Sequence, residues 1–350
     1  MAKSSEEKIL RNVLITRFSA LGDVAMTIPI VYPMCEANPQ VSFVFATRKM
    51  DEGLFINRPS NLIVLGIDLD NYSGIIGPVK LAKNLQYRYD FDAMADLHDV
   101  LRTKLMRVVL KCKKVNVAVI DKGRKEKRKL ITGQTRAPLI STHARYKEVF
   151  KQLGLKLGEE FTSIIAHGGT LKSPIVPAKE DGDRWIAVAP FSQHQGKEYP
   201  LEQMQLVIGE MSRWEHCHLF LMGGGKNERD TLAPIMRRYS NVLSLPHIKH
   251  SFADELALLS HCDVMLTMDS ANMHLASLVG LPTVSVWGAT HPYCGFLGWH
   301  QALKDTVQLD LDCRPCSVFG NKKCRFGDYH CMRDIYPEMI LKKVKTVLDR

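Results

Sequence analysis

The chain has 350 residues, 45% of them hydrophobic, enough for about two domains with ordinary cores. Its formal net charge is +10, and no apolar run reaches the length of a bilayer-spanning helix. The opening MAKSSEEKIL has no apolar secretory core, so a soluble cytoplasmic protein is expected.

Short apolar runs alternate with helical patterns from end to end. In the first half the pattern predicts strands at 12–17, 41–47, 61–67, 91–96 and 115–120, and helices at 24–36, 78–86 and 144–153. In the second half it predicts strands at 185–190, 217–222, 241–245, 263–267, 282–287 and 305–309, and helices at 201–213, 228–238 and 252–260. Such alternation implies an α/β fold of parallel sheets with helices on both faces. The polar, Gly- and Pro-bearing stretch 167–183 reads as a linker, which divides the chain into domains at 1–170 and 184–335. The last segment, 336–350, carries Met339, Ile340, Val344, Val347 and Leu348 at helical spacing.

Two turns carry the chemistry. The first strand runs into Arg17-Phe-Ser19-Ala-Leu-Gly22-Asp23, a small-residue turn leading to a helix, at the edge where open α/β sheets bind ligands. Gly22 permits close backbone approach, and Asp23 is the one carboxylate of the segment. Taken alone, Asp23 reads as a helix cap. Near the other end, Val-Met-Leu-Thr-Met-Asp269-Ser270-Ala271-Asn-Met-His274 repeats the strand, polar turn and helix. A helix start with unpaired N–H groups and a hydroxyl binds phosphate, whereas the bland alternative is an Asp/Ser cap beside a surface histidine.

The pair RFSALGDVAMTIP and MDSANMHLASLVGLPTVSVWGATHP resembles glycosyltransferase family 9, the ADP-heptose:lipopolysaccharide heptosyltransferases. The resemblance spans nearly the whole chain. It implies the GT-B architecture, two Rossmann-like domains facing each other across a cleft, with the acceptor on the first and the nucleotide sugar on the second. It also implies a final helix that crosses back to the first domain. By the same resemblance Asp23 takes a proton from the attacking hydroxyl, with Ser19 and Gly22 in the acceptor-side turn. Ser192 and Lys197, in Phe191-Ser-Gln-His-Gln-Gly-Lys-Glu-Tyr-Pro200, match residues at the donor phosphates. Glu228, after the Gly223-Gly-Gly225 turn, matches a group that holds the ribose hydroxyls, and His274 is a donor-site contact. Ala271 stands where the family commonly has glycine, adding a methyl where phosphate oxygens approach. That departure leaves room for another nucleotide-sugar donor. A nucleotide-sugar 2-epimerase on the same scaffold is a further alternative.

The charge is concentrated. Residues 101–130 hold twelve Lys/Arg and two acids, a net +10 that equals the charge of the entire chain. A local field of this size suits an anionic membrane surface or a phosphorylated glycolipid. Nucleic acid is the rival partner, but no aromatic RNA-binding signature or helix-turn-helix pattern accompanies the run, so none is expected. Asp-x-Asp pairs occur at Asp68/Asp70, Asp90/Asp92, Asp181/Asp183 and Asp310/Asp312; they are scattered, and no catalytic metal or other cofactor is expected. Cys313-x2-Cys316-x7-Cys324-x6-Cys331 leaves two readings open, a structural zinc or reduced, packed thiols. The expectation is thus an inverting, metal-independent transferase moving heptose from ADP-heptose to the inner core of lipopolysaccharide, peripheral at the inner face of the cytoplasmic membrane.

Overall fold

The computed structural model of the chain describes residues 10–165 and 169–350, so the first nine residues and positions 167–168 of the expected linker lie outside the described residues. The elements run β1 (Asn12–Thr16), α1 (Leu21–Ala25), α2 (Ile28–Glu36), β2 (Ser42–Arg48), β3 (Leu62–Ile67), α3 (Ile76–Tyr89), β4 (Ala93–Asp96), α4 (Leu101–Cys112), β5 (Asn116–Val119), α5 (Arg124–Ile131) and α6 (Thr142–Gln152). They continue with β6 (Arg184–Ala189), α7 (Leu201–Met211), β7 (Cys217–Leu221), α8 (Gly225–Arg238), β8 (Val242–Ser244), α9 (Phe252–His261), β9 (Val264–Met268), α10 (Ala271–Leu278), β10 (Thr283–Val286), β11 (Thr306–Val307), α11 (His330–Arg333) and α12 (Pro337–Leu348).

The strands form two parallel sheets, ordered β3-β2-β1-β4-β5 and β11-β10-β9-β6-β7-β8. Their central strands are buried on both faces, which is why they read as continuous apolar runs and not as alternating ones. In the first sheet Leu14 of β1 is in register with Val44 and Met94 on its two neighbours. These residues join Leu81, Ala82 and Leu85 of α3 and Met106 and Leu110 of α4 in one core cluster. In each sheet the chain order reverses once, between β1 and β4 and between β6 and β9. Those two points are where an open α/β sheet leaves a crevice at its carboxyl edge.

The helix predicted at 24–36 is two helices. Thr27 ends the first turn by donating its hydroxyl to Val24 C=O at 2.7 Å, and Pro29 suits the opening of the next helix, having no N–H to satisfy. The polypeptide divides into two compact units, residues 1–122 with 143–161, and residues 123–142 with 162–350. The boundary expected near 170 therefore moves, and α5 belongs to the second unit. There Leu139 N–H bonds Tyr293 C=O at 2.9 Å, Thr142 N–H bonds Gly295 C=O at 2.9 Å, and Lys127 Nζ stands 4.3 Å from the Phe296 ring centroid. The basic run 101–130 is consequently split, α4 in one unit and α5 in the other.

The described part of the expected linker is fastened to the second unit, with Ser173 Oγ donating to Asp254 at 2.6 Å and Lys179 paired with Asp263 at 2.7 Å. The final helix also departs from expectation. Instead of crossing to the first unit, α12 buries Ile340, Val344 and Val347 in the core of the second sheet with Met204 and Val207 of α7. Its apolar stripe matches that sheet's surface, and burying such a stripe stabilises a helix more than its intrinsic propensity does. Among the described residues no helix is long and apolar enough to cross a membrane.

Candidate active site

In the first unit the constellation sits at the β1/β4 reversal. Asp23 is the third residue of α1, and its carboxylate accepts from Ala20 N–H at 3.2 Å, so the capping role read from the turn is present. The same oxygen is ion-paired with Arg17, whose guanidinium also donates to Leu97 C=O at 2.7 Å. Tyr146 donates its hydroxyl to the backbone carbonyl of Asp23 at 3.2 Å. Asp23 is thus held from three sides while its side chain stays 27% exposed. Gly22 lies inside α1, buried, within an ordinary helical turn.

Ser19 is brought to His98, a residue the sequence reading passed over. Phe18 N–H donates to His98 Nδ1 at 3.4 Å, which puts the imidazole proton on Nε2, 3.2 Å from Ser19 Oγ. Ser19 then accepts from the ring and keeps its own proton for a ligand. The turn bearing His98 is fixed by Asp96, which accepts from the N–H groups of His98 and Asp99 at 3.0 and 2.9 Å and pairs with Arg107 at 3.0 Å. Burial, aided by the nearby charges of Arg17 and Lys122, pushes the His98 pKa down to about 3.

A folded-state pKa below the ordinary 6.5 gives stability that is complete above 6.5 and lost as pH falls toward 3, because the unfolded chain takes the proton first. His291, pushed down to about 4 chiefly by burial, acts in the same direction. His98→Gln, which cannot be protonated in this range, is therefore expected to show less loss of stability between pH 7 and 4.5 than the wild type. Urea midpoints at the two pH values measure this; equal losses in both proteins would contradict it.

In the second unit the residues gather at the β6/β9 reversal. Lys197 follows β6 and its Nζ lies 3.1 Å from the carboxylate of Asp269, which follows β9. Thr290, beyond β10, donates to the same Asp269 oxygen at 2.8 Å. Asp269, 5% exposed, directly precedes Ser270 at the start of α10; its carboxylate orients the ammonium and does not take the N-cap place. That place is held by Ser270, whose Oγ stands 3.2 Å from Thr267 Oγ1 and leaves the first N–H groups of α10 uncapped by its side chain. Ala271 is the first residue of α10, and His274 is 7% exposed within the helix, so the surface-histidine alternative is excluded.

Ser192 turns back onto the backbone of His194, and Glu228, in the first turn of α8, accepts from Gly224 N–H at 2.7 Å. Both lie at carboxyl ends of strands in the second sheet, after β6 and β7.

The stem of Lys197 is shaped by glycine. Gly320 has φ +77°, and a Cβ there would come within 2.7 Å of Lys197 Cδ. Behind it, Arg314 organises the loop after β10. Its guanidinium donates to the carbonyls of Gly288 and Leu309, to those of Trp287 at 3.0 Å and Thr290 at 2.9 Å, and to Gln308 Oε1 at 3.0 Å. Burial works against the Arg314 charge, so these five acceptors are what keep it there. Arg314→Ala would strand several buried carbonyls and is expected to cost about 3–5 kcal/mol, against under about 1 kcal/mol for an exposed arginine such as Arg213. Denaturant unfolding of the two variants measures the contrast.

Arg314 lies in the four-cysteine segment, and this is the order the segment supplies. Cys313 Sγ lies 3.7 Å from His330 Nε2, Cys316 Sγ 3.8 Å from Ala289 C=O, and Cys324 Sγ 3.9 Å from Asp328, while Cys331 is in the core. Among the described residues no group of three or more His, Cys, Asp or Glu side chains is arranged to hold a metal ion. Acids of the Asp-x-Asp pairs are engaged structurally: Asp92 accepts from Arg11 and Asn12 N–H, and Asp312 pairs with Arg136 at 2.8 Å.

Two units of parallel strands, each with polar side chains at its reversal point, are the architecture shared with the GT-B class of glycosyltransferases. The family model described as "Glycosyltransferase family 9 (heptosyltransferase)" matches residues 80–330, and the chain belongs to that family. It is 23% identical to lipooligosaccharide heptosyltransferase 2 of Campylobacter jejuni serotype O:2, over 94% of this chain and 95% of the relative. Its fold is similar to that of the family 9 glycosyltransferase of Veillonella parvula, with TM-score 0.70, 16% identity and 97% of each chain covered. It is also similar to Escherichia coli heptosyltransferase WaaC with ADP, with TM-score 0.61, 19% identity, and 84% of this chain and 92% of the other covered.

Proposed function

We propose that this glycosyltransferase moves heptose from ADP-heptose to the phosphorylated inner core of lipopolysaccharide, with inversion at the anomeric carbon, while resting on the inner face of the cytoplasmic membrane. The observation that carries the reading is the Lys197–Asp269–Thr290 cluster beside the start of α10, a cation and uncapped N–H groups at one reversal point. An ADP leaving group gains negative charge as the glycosidic bond breaks. An oriented ammonium and a helix N-terminus stabilise that charge without reorganising.

Ser192 and Glu228 complete the donor side in this reading, Glu228 exchanging Gly224 N–H for the ribose hydroxyls. Ala271 and His274 line the same helix. On the acceptor side Asp23 takes the proton of the attacking hydroxyl, and the Ser19 hydroxyl, oriented by His98, donates to the acceptor.

Calorimetry with ADP, ADP-heptose and a uridine diphosphate sugar tests the donor assignment. ADP and ADP-heptose are expected to bind, and Lys197→Gln to weaken both. Tighter binding of the uridine nucleotide would reassign the donor.

A further inference from the structure

We propose that the outer faces of α3 and α4 form a docking surface for anionic lipid, which delivers the enzyme to the bilayer with its acceptor-side edge foremost. The proposal rests on the acceptor reading above, because it supplies a reason for the first unit to meet a membrane.

Both helices pack into one core cluster on the same face of the first sheet, so their opposite sides point outward together. On α3 the outward series is Ile76, Lys80, Lys83 and Tyr87; on α4 it is Leu101, Lys104, Val108 and Lys111, each at helical spacing. Neither helix contains an acidic residue. The neighbouring acids are Asp90, which follows α3, Asp99, ahead of α4 and paired with Arg107 at 3.2 Å, and Asp121, which with Asp99 lines a groove along Lys104, Val108 and Lys111.

The apolar members are unusually exposed for a water-facing surface. Ile75, Ile76, Leu101, Val108 and Tyr87 are between 62% and 95% accessible. Arg102 donates to Tyr72 C=O at 2.7 Å, fastening the start of α4 to the turn that leads into α3. Both helices follow parallel strands and return against them, so both begin at the carboxyl edge of the sheet. Ile75, Ile76 and Leu101 therefore all lie at that edge, Leu101 three residues along the chain from His98.

Aliphatic side chains flanked by lysines, with a tyrosine on the same layer, match the chemistry of a bilayer interface. The apolar groups enter the headgroup boundary, and the lysine stems lie along it with their charges at the phosphates. The basic α5 belongs to the other unit, and its exposed face has no comparable aliphatic content; Lys127 is buried against Phe296.

Vesicle co-sedimentation of the full chain, without nucleotide or acceptor, tests this apart from the transfer reaction. Phosphatidylcholine vesicles with and without phosphatidylglycerol are the probe. The wild type is expected to sediment with the anionic vesicles and to be released by salt. Lys80→Gln, Lys83→Gln, Lys104→Gln and Lys111→Gln together are expected to weaken partitioning at least tenfold, each lysine near an anionic surface being worth up to about fivefold. Ile75→Ser, Ile76→Ser and Leu101→Ser together are expected to weaken it at least tenfold at unchanged charge. Arg124→Gln, Lys125→Gln, Arg128→Gln and Lys129→Gln in α5 are expected to retain it.

Thermal melts confirm that these surface variants fold. Absence of wild-type binding, binding at the wild-type level by both variants of this face, or loss confined to the α5 variant would overturn the proposal. So would a wild-type dimer that the serine variant dissociates while vesicle binding persists, since the face would then be a contact between copies. Failure of the donor assignment leaves the vesicle result untouched, and the reverse also holds.

Discussion

Asp23→Asn is expected to lower turnover by roughly two to four orders of magnitude while ADP affinity stays within about twofold of the wild type. Asparagine keeps the shape and can still accept from Ala20 N–H, as Asp23 does at 3.2 Å, but it cannot take a proton from a hydroxyl. It also loses the ion pair with Arg17, whose guanidinium is buried, so a fall in melting temperature is expected as well. The capping role makes a different forecast, a stability loss near 1 kcal/mol with turnover kept. Steady-state kinetics, a thermal melt and ADP calorimetry on one variant separate the two, because ADP is assigned to the other unit. Normal turnover with a lowered melting temperature would remove Asp23 from the chemistry.

Lys197→Ala is expected to reduce turnover by roughly two to three orders of magnitude and to weaken ADP binding, as loss of a preorganised charge at a leaving group does. The variant leaves the Asp269 carboxylate buried with Thr290 as its remaining partner, so a stability loss of about 3–5 kcal/mol accompanies it. Lys197→Arg controls for that loss. It keeps the charge and the pair but crowds Gly320, and it is expected to fold like the wild type with an intermediate turnover. If Lys197→Arg and Lys197→Ala both turn over normally, the ammonium does not face the leaving group.

The strands were legible in the sequence because both faces of a parallel sheet are buried. Runs such as Val13–Ile15 and Val264–Leu266 have no polar interruption to blur them. The edge was harder: β11 is two residues long where five were expected, since an edge strand needs little pairing. Helices α4 and α5 were hidden by lysine, although α4 carries a core stripe at Thr103, Met106 and Leu110. Asp23 and Asp269 could be named because each closes a recognisable local turn, whereas Lys197 could be named only through the family resemblance.

The partners of those residues are distant in the chain. His98 lies 79 residues from Ser19, and Arg314 lies 24 from Thr290. A cap stood as the alternative for Asp269 for the same reason: nothing near it in sequence announces that Lys197 and Thr290 will meet its carboxylate. The available signal for His98 was its place just past the strand that pairs with β1, at a reversal point that exists only once the strand order is known.

Incubating the purified chain with ADP-heptose, with and without a phosphorylated lipopolysaccharide core lacking its heptose, and following ADP release together with the mass of the core is the most direct measurement. Heptose is expected to appear on the core with equimolar ADP, and Asp23→Asn is expected to abolish both. Release of ADP or conversion of the sugar at the same rate without the core, or no heptose on the core in its presence, would contradict the assignment.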